Sequence, residues 1–251
     1  MSVTIAITGK GGVGKTTISS LIIQWLVNSK ETPVLAVDAD SNSNLNEALG
    51  VEYEATVGGI RENAKKIAKE LTGVAKNEFL DLRVQEALVE QDGYDLIIMG
   101  RPEGPGCYCY ANNVLRDVIQ RLASNYKHLV IDNEAGLENL SRRTVIAVDY
   151  LIIVSDCSVR GVRTAGRIAE LANEMGTPVK HRGLIINRAP NGILPEGVKA
   201  EAAATGLELF AIIPFDDNVA EMDGGGEAIG SIPQDSQARQ VIGTLMTRLL
   251  K

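Results

Sequence analysis

The run Gly9-Lys10-Gly11-Gly12-Val13-Gly14-Lys15-Thr16-Thr17 satisfies the spacing G-x-x-x-x-G-K-[ST]. Glycines at such spacing let successive backbone N–H groups curl around phosphate oxygens. A helix that starts at the lysine then aims the positive end of its dipole at the same anion. Lys15 is placed to reach β- and γ-phosphates, and the Thr16 hydroxyl to ligate Mg²⁺. Gly11, Gly12, Val13, Gly14, Lys15, Thr16 and Thr17 are therefore the expected nucleotide contacts.

Carboxylates follow in an order that suits this loop. Val37-Asp38-Ala39-Asp40-Ser41-Asn42 ends an apolar run, and Asp40 through Asn44 are equally suited to cap a following helix. His128–Asp132 is a second run that ends in an aspartate, with Asp132 placed to hold a water of the Mg²⁺ shell. The late stretch Ile185-Ile186-Asn187-Arg188-Ala189-Pro190 lacks the Asn-Lys-x-Asp that reads guanine, which favours ATP over GTP.

The third cluster is Cys107-Tyr108-Cys109, directly after Arg101-Pro102-Glu103-Gly104-Pro105-Gly106. Two thiolates one residue apart supply half of a four-ligand shell for a soft or borderline ion. A two-fold homodimer would supply Cys107 and Cys109 twice and complete an S₄ site for Zn²⁺ or Ni²⁺. Cys157 has no neighbour in sequence and is expected to be structural.

Positioning these groups requires strands that end where the chemistry begins. Short β-branched runs alternate with longer helical patterns, which implies an α/β fold with a mostly parallel sheet of about seven or eight strands flanked by helices. Expected strands are Val3–Thr8, Val34–Asp38, Asp95–Met99, His128–Asp132, Tyr150–Ser155, Arg182–Asn187 and Leu209–Ile213. Expected helices include Lys15–Ser29, Glu78–Gln91, Asn112–Ser124, Val159–Met175 and Ser236–Leu250. The stretch from Val51 to Gly93 exceeds a plain crossover and is expected to form helices over the sheet edge. Neither a repeat nor a linker divides the 251 residues, so one domain spanning 1–251 is expected.

Bulk properties agree. Acidic side chains number 32 against 25 basic ones, a net charge of −7 that argues against a nucleic-acid or anionic-membrane surface. No apolar run is long enough to span a bilayer, and the start lacks the zones of a signal peptide, so a cytoplasmic location is expected. In a reducing compartment the 3 cysteines point to metal or redox chemistry more than to disulfides.

The form GKGGVGKTT resembles the deviant Walker A signature of the ATPase class containing MinD, ParA, the arsenite-pump ATPase and the nitrogenase iron protein. The resemblance implies that Lys10 reaches across a two-fold interface to the partner's nucleotide, so that ATP closes a dimer. It implies that Asp40 positions or activates the attacking water and that Asp38 supports Mg²⁺. Gly136, in Asn133-Glu134-Ala135-Gly136-Leu137, matches the switch II glycine whose N–H meets the γ-phosphate, and Asn187 and Phe215 match adenine contacts. With the C-x-C pair and the stretch to Leu140-Ser141-Arg142, nearly the whole chain looks like CooC and AcsF. These are accessory ATPases of nickel insertion into carbon monoxide dehydrogenase and acetyl-CoA synthase. That likeness implies ATP/ADP, Mg and Ni or Zn as ligands, and a nickel enzyme as partner.

Two rivals share the loop. An iron–sulfur electron-transfer protein resembling nitrogenase reductase needs a cysteine in switch II, where Asn133 through Glu138 have none. A positioning ATPase like MinD or ParA leaves C-x-C without a purpose, and the tail Val241–Lys251 has only two basic residues for a membrane.

Overall fold

The computed structural model describes residues 2–59, 85–101, 115, 118–136, 147–176 and 178–251. The chain runs β1 (Val3–Gly9), α1 (Lys15–Asn28), β2 (Val34–Ala39), α2 (Leu45–Leu49), β3 (Leu88–Gln91), β4 (Tyr94–Ile98) and β5 (His128–Asn133). It continues with β6 (Val148–Asp156), α3 (Val159–Glu174), β7 (Val179–Ala189), α4 (Glu196–Ala204), β8 (Glu208–Pro214), α5 (Asp217–Gly225) and α6 (Gln237–Leu249). The strands form one 8-stranded sheet in the order β3-β4-β2-β5-β1-β6-β7-β8. Every neighbouring pair is parallel except β3–β4, which is antiparallel.

Parallel strands need crossovers on the sheet faces, so side chains on both faces are buried. Along β1, Ile5 and Ile7 face the side covered by α1 and α6, where Ile22, Leu26, Ile242 and Met246 pack. Ala6 faces the opposite side, with Val162 and Ala165 of α3 and Val198 of α4. Period-two alternation in the strands thus meets period-3.6 stripes on the helices. Truncating a fully buried member such as Leu26, 0% exposed, to alanine would cost about 2–5 kcal/mol.

One expectation is corrected. Glu78–Gln91 is not helical to its end: Gln85 and Glu86 are helical, but Leu88–Gln91 is a strand antiparallel to β4. Its side chains alternate on a half-covered edge, and four residues carry too little pattern to oppose the helical reading. Two further helices, α4 and α5, occupy stretches without a strong apolar stripe. Of the expected helix Asn112–Ser124, residues 118–122 are helical. No helix among the described residues is long and apolar enough to cross a membrane.

Candidate functional site at the carboxyl edge of the sheet

β1, β2 and β5 are adjacent and parallel, so their carboxyl ends, Gly9, Ala39 and Asn133, reach one edge together. Ligand groups in open α/β sheets collect at that edge. Gly9 starts the loop against β6: a Cβ there would lie 2.3 Å from the Val154 carbonyl oxygen. Gly12 (φ 77°) and Gly14 (φ 91°) are left-handed, the conformation that turns N–H groups inward and that side chains oppose. No side chain caps α1, whose N-cap is Gly14. Its first N–H groups are therefore available to an anion.

Lys15 is buried, and its ammonium donates to the Lys10 carbonyl at 3.3 Å. Burial pushes its pKa below the ordinary lysine range, against the pull of Asp132, Asp40 and Glu134. The Thr16 hydroxyl donates to Asp132 Oδ2 at 2.7 Å, and Ser19, one turn along α1, donates to Oδ1 at 3.1 Å. Burial raises the Asp132 pKa to about 6, although Thr16, Lys15 and Ser19 all favour its charge. Asp38 is 0% exposed and pushed up to about 7 by burial, against hydrogen bonds from the N–H groups of Leu45 (2.9 Å) and Asp40 (3.0 Å).

The bond to Leu45 settles which residue caps α2. Asn44 occupies the N-cap without a side-chain bond, and Asp38 reaches over from β2 to take the Leu45 N–H. Asp40 lines the phosphate cleft instead, accepting from the Asn42 N–H at 2.8 Å. Lys10 is exposed, and among the described residues its ammonium has no hydrogen-bond partner. Gly136 is left-handed (φ 88°); its N–H donates to the Gly9 carbonyl at 3.1 Å, and its own carbonyl accepts from the Thr8 hydroxyl at 2.8 Å.

Two clefts adjoin. The first, about 530 Å³, is lined by Gly11, Gly12, Gly14, Lys15, Thr16, Thr17 and Asp40 among others. The second, about 280 Å³, includes Asn187, Pro214, Phe215 and Val219. Thr17, Arg188 and Asp223 border both, so the two clefts form one path about a nucleotide in size. Asn187 spends its amide on the protein: Nδ2 donates to the Val13 carbonyl at 2.9 Å and Oδ1 accepts from the Arg188 N–H at 2.9 Å. It holds the loop in shape, while Phe215, 54% exposed, forms the open wall.

Sequence reasoning passed over Ser19, Thr8 and Arg188, whose guanidinium donates to the Gly12 carbonyl at 3.2 Å. Ser19 alone carried a signal, a hydroxyl on the buried face of α1, one turn past Thr16. Cys107 and Cys109 lie outside the described residues. Cys157 is half-buried, and its thiol is pushed up by burial and by Asp156.

The arrangement suits a polyphosphate beside a divalent cation: an open helix end, a buried ammonium, and a hydroxyl already bonded to a carboxylate. Comparison with known proteins agrees. Residues 4–229 match the family model described as the CobQ/CobB/MinD/ParA nucleotide binding domain. An uncharacterised ATP-binding protein of Methanocaldococcus jannaschii is 42% identical, with 98% of each chain covered. The carbon monoxide dehydrogenase accessory protein CooC of Rhodospirillum rubrum is 32% identical, covering 88% of this chain and 87% of its own. The crystal structure of the cell division ATPase MinD of Pyrococcus furiosus shares the fold, with TM-score 0.71 at 20% identity over 100% and 99% of the two chains. The chain therefore belongs to the CobQ/CobB/MinD/ParA nucleotide-binding family of P-loop ATPases.

Proposed function

We propose that this ATPase is a metal-maturation factor: it binds Ni²⁺ or Zn²⁺ as cargo through Cys107 and Cys109 of two chains. ATP binding and hydrolysis then support nickel insertion into an enzyme of the carbon monoxide dehydrogenase/acetyl-CoA synthase type. The observation that carries this reading is the Cys107-Tyr108-Cys109 pair in a chain that resembles CooC along most of its length. A purely positioning ATPase has no use for two adjacent thiolates. Among the described residues no group of three or more His, Cys, Asp or Glu is assembled to hold a metal, so the cargo role rests on this pair.

The rest of the chain supplies the energy. The N–H groups of Gly11 through Thr17 cradle the phosphates, and Lys15 neutralises the charge that grows on the transferring group. Asp40 orients the attacking water. Thr16, with Asp132 and Asp38 behind it, would hold Mg²⁺, which supplies charge neutralisation at the phosphates when bound. The base lies along Phe215, with Asn187 keeping the loop in register. Gly136 gives its N–H to the γ-phosphate, leaving Gly9. Lys10 reaches the nucleotide of the second protomer, so the dimer closes on ATP.

Calorimetry with Ni²⁺ and Zn²⁺ tests the cargo site. About half an ion per chain is expected for the wild type, with collapse in Cys107→Ser and Cys109→Ser and little change in Cys157→Ser. One ion per chain that survives Cys109→Ser overturns the shared site.

A further inference from the structure

We infer that Arg101, acting through Asn42, is a positioning residue for Asp40 in the hydrolysis step. The inference rests on the reading of Asp40 as the water-orienting carboxylate.

Three side chains form a single line. Asp40 Oδ1 accepts from the Asn42 backbone N–H at 2.8 Å and from Asn42 Nδ2 at 3.1 Å. Asn42 Oδ1 accepts from Arg101 Nη2 at 2.8 Å. A planar amide held at both ends has its orientation set, because turning it over would aim its NH₂ at the guanidinium and its oxygen at the carboxylate. Asn42 therefore reports the position of Arg101 to Asp40, and the reverse.

Arg101 stands just past the end of β4, where the backbone is fixed. The Met99 N–H donates to the Asp38 carbonyl at 2.9 Å, and the Met99 carbonyl accepts from the Gly58 N–H at 2.8 Å. Gly100 is left-handed (φ 64°), a conformation that turns the chain sharply after β4. The carboxyl ends of β2 and β4 are thus stitched by backbone near Asp38 and by side chains at Asp40. Only the second stitch ends on a group that meets the substrate.

All three hydrogen bonds are solvent-exposed, which sets the size of the effect. An exposed bond to a charged group contributes modestly, so loss of Arg101 is worth about three- to tenfold in the step that Asp40 serves.

The test is kinetic and uses the full-length protein. Arg101→Met should lower kcat for ATP about three- to tenfold at unchanged KM, and Arg101→Lys, which keeps a donor, should recover most of it. Asn42→Ala should lower kcat at least as much, and adding Arg101→Met to it should cost nothing further, because both act on Asp40 through one chain of bonds. An unchanged kcat in Arg101→Met, or two losses that simply add, overturns the inference. Asp40→Asn separates this from the reading it rests on. A kcat that survives Asp40→Asn sinks the water-orienting role, whereas a crippled Asp40→Asn beside an unaffected Arg101→Met sinks only the positioning.

Discussion

Replacing Asp132 by asparagine should leave the nucleotide-free protein at least as stable as the wild type at pH 8 while crippling its use of Mg-ATP. Asp132 is 2% exposed, and its pKa stands at about 6 against an ordinary value of 3.8. At roughly 1.4 kcal/mol per pKa unit, the ionised carboxylate costs the folded protein about 3 kcal/mol, a figure already net of its hydrogen bonds. The folded pKa is raised, so the stabilisation is fully present below pH 3.8 and is lost as pH rises through about 6. Asparagine never ionises. It keeps one acceptor for Thr16 or Ser19, and its NH₂ turns to the oxygen of the other hydroxyl, a loss of about 1–2 kcal/mol. The variant should then unfold at higher urea than the wild type at pH 8, by about 1–2 kcal/mol, with the gap closing towards pH 4. Mg-ATP affinity, read by titration of a fluorescent nucleotide, should fall by tenfold or more. An Asp132→Asn protein that is 2 kcal/mol less stable than wild type at pH 8 refutes the claim that burial outweighs the hydroxyl contacts. Unchanged Mg-ATP affinity refutes the placement of the cation.

Two further outcomes follow from other parts of the molecule. Lys10→Ala should keep ADP affinity but lose the shift to dimer on adding ATP, measured by light scattering at matched concentrations; a variant that still dimerises on ATP sinks the cross-protomer role. His128 is 2% exposed, faces Glu31 at 3.1 Å through Nε2, and leaves its buried Nδ1 without a partner among the described residues. Burial holds its pKa below 6.5, so its contribution to stability is present above that value and is lost as pH falls through the folded pKa. The Tm of the wild type should therefore drop more between pH 7 and pH 5 than that of His128→Gln. Equal losses in the two proteins would remove His128 from the account, since Asp38 and Asp132 contribute alike to both.

Much of the site was legible because its parts are local. The loop from Gly9 to Thr17 has a spacing imposed by phosphate geometry, and Asp132 closes a continuous apolar run that reads as a buried strand. What was not legible depends on encounters between distant residues. Asn42 and Arg101 lie far apart in the chain, and nothing in either neighbourhood announces the other. Asp38 is similar: the sequence offered Asp40 through Asn44 as caps of the following helix and gave Asp38 only a role beside the cation. The structure gives the capping bond to Asp38 because the turn after β2 brings Leu45 back over the strand end. β3 escaped because Leu88-Val89-Glu90-Gln91 is short, half-polar and flanked by a helical turn, so no period asserts itself. Arg188, left-handed at φ 57°, was hidden by its neighbour Asn187, the residue that chemistry made conspicuous.

The antiparallel β3 has a mechanical consequence. Without it, β4 would be the rim of the sheet, free to fray. β4 is instead paired with β2 from Tyr94 to Ile98 and with β3 from Tyr94 to Ile97. Met99, which joins the Asp38 carbonyl and the Gly58 N–H just past this strand, therefore stands on a floor that cannot slip or peel unless two ladders break together.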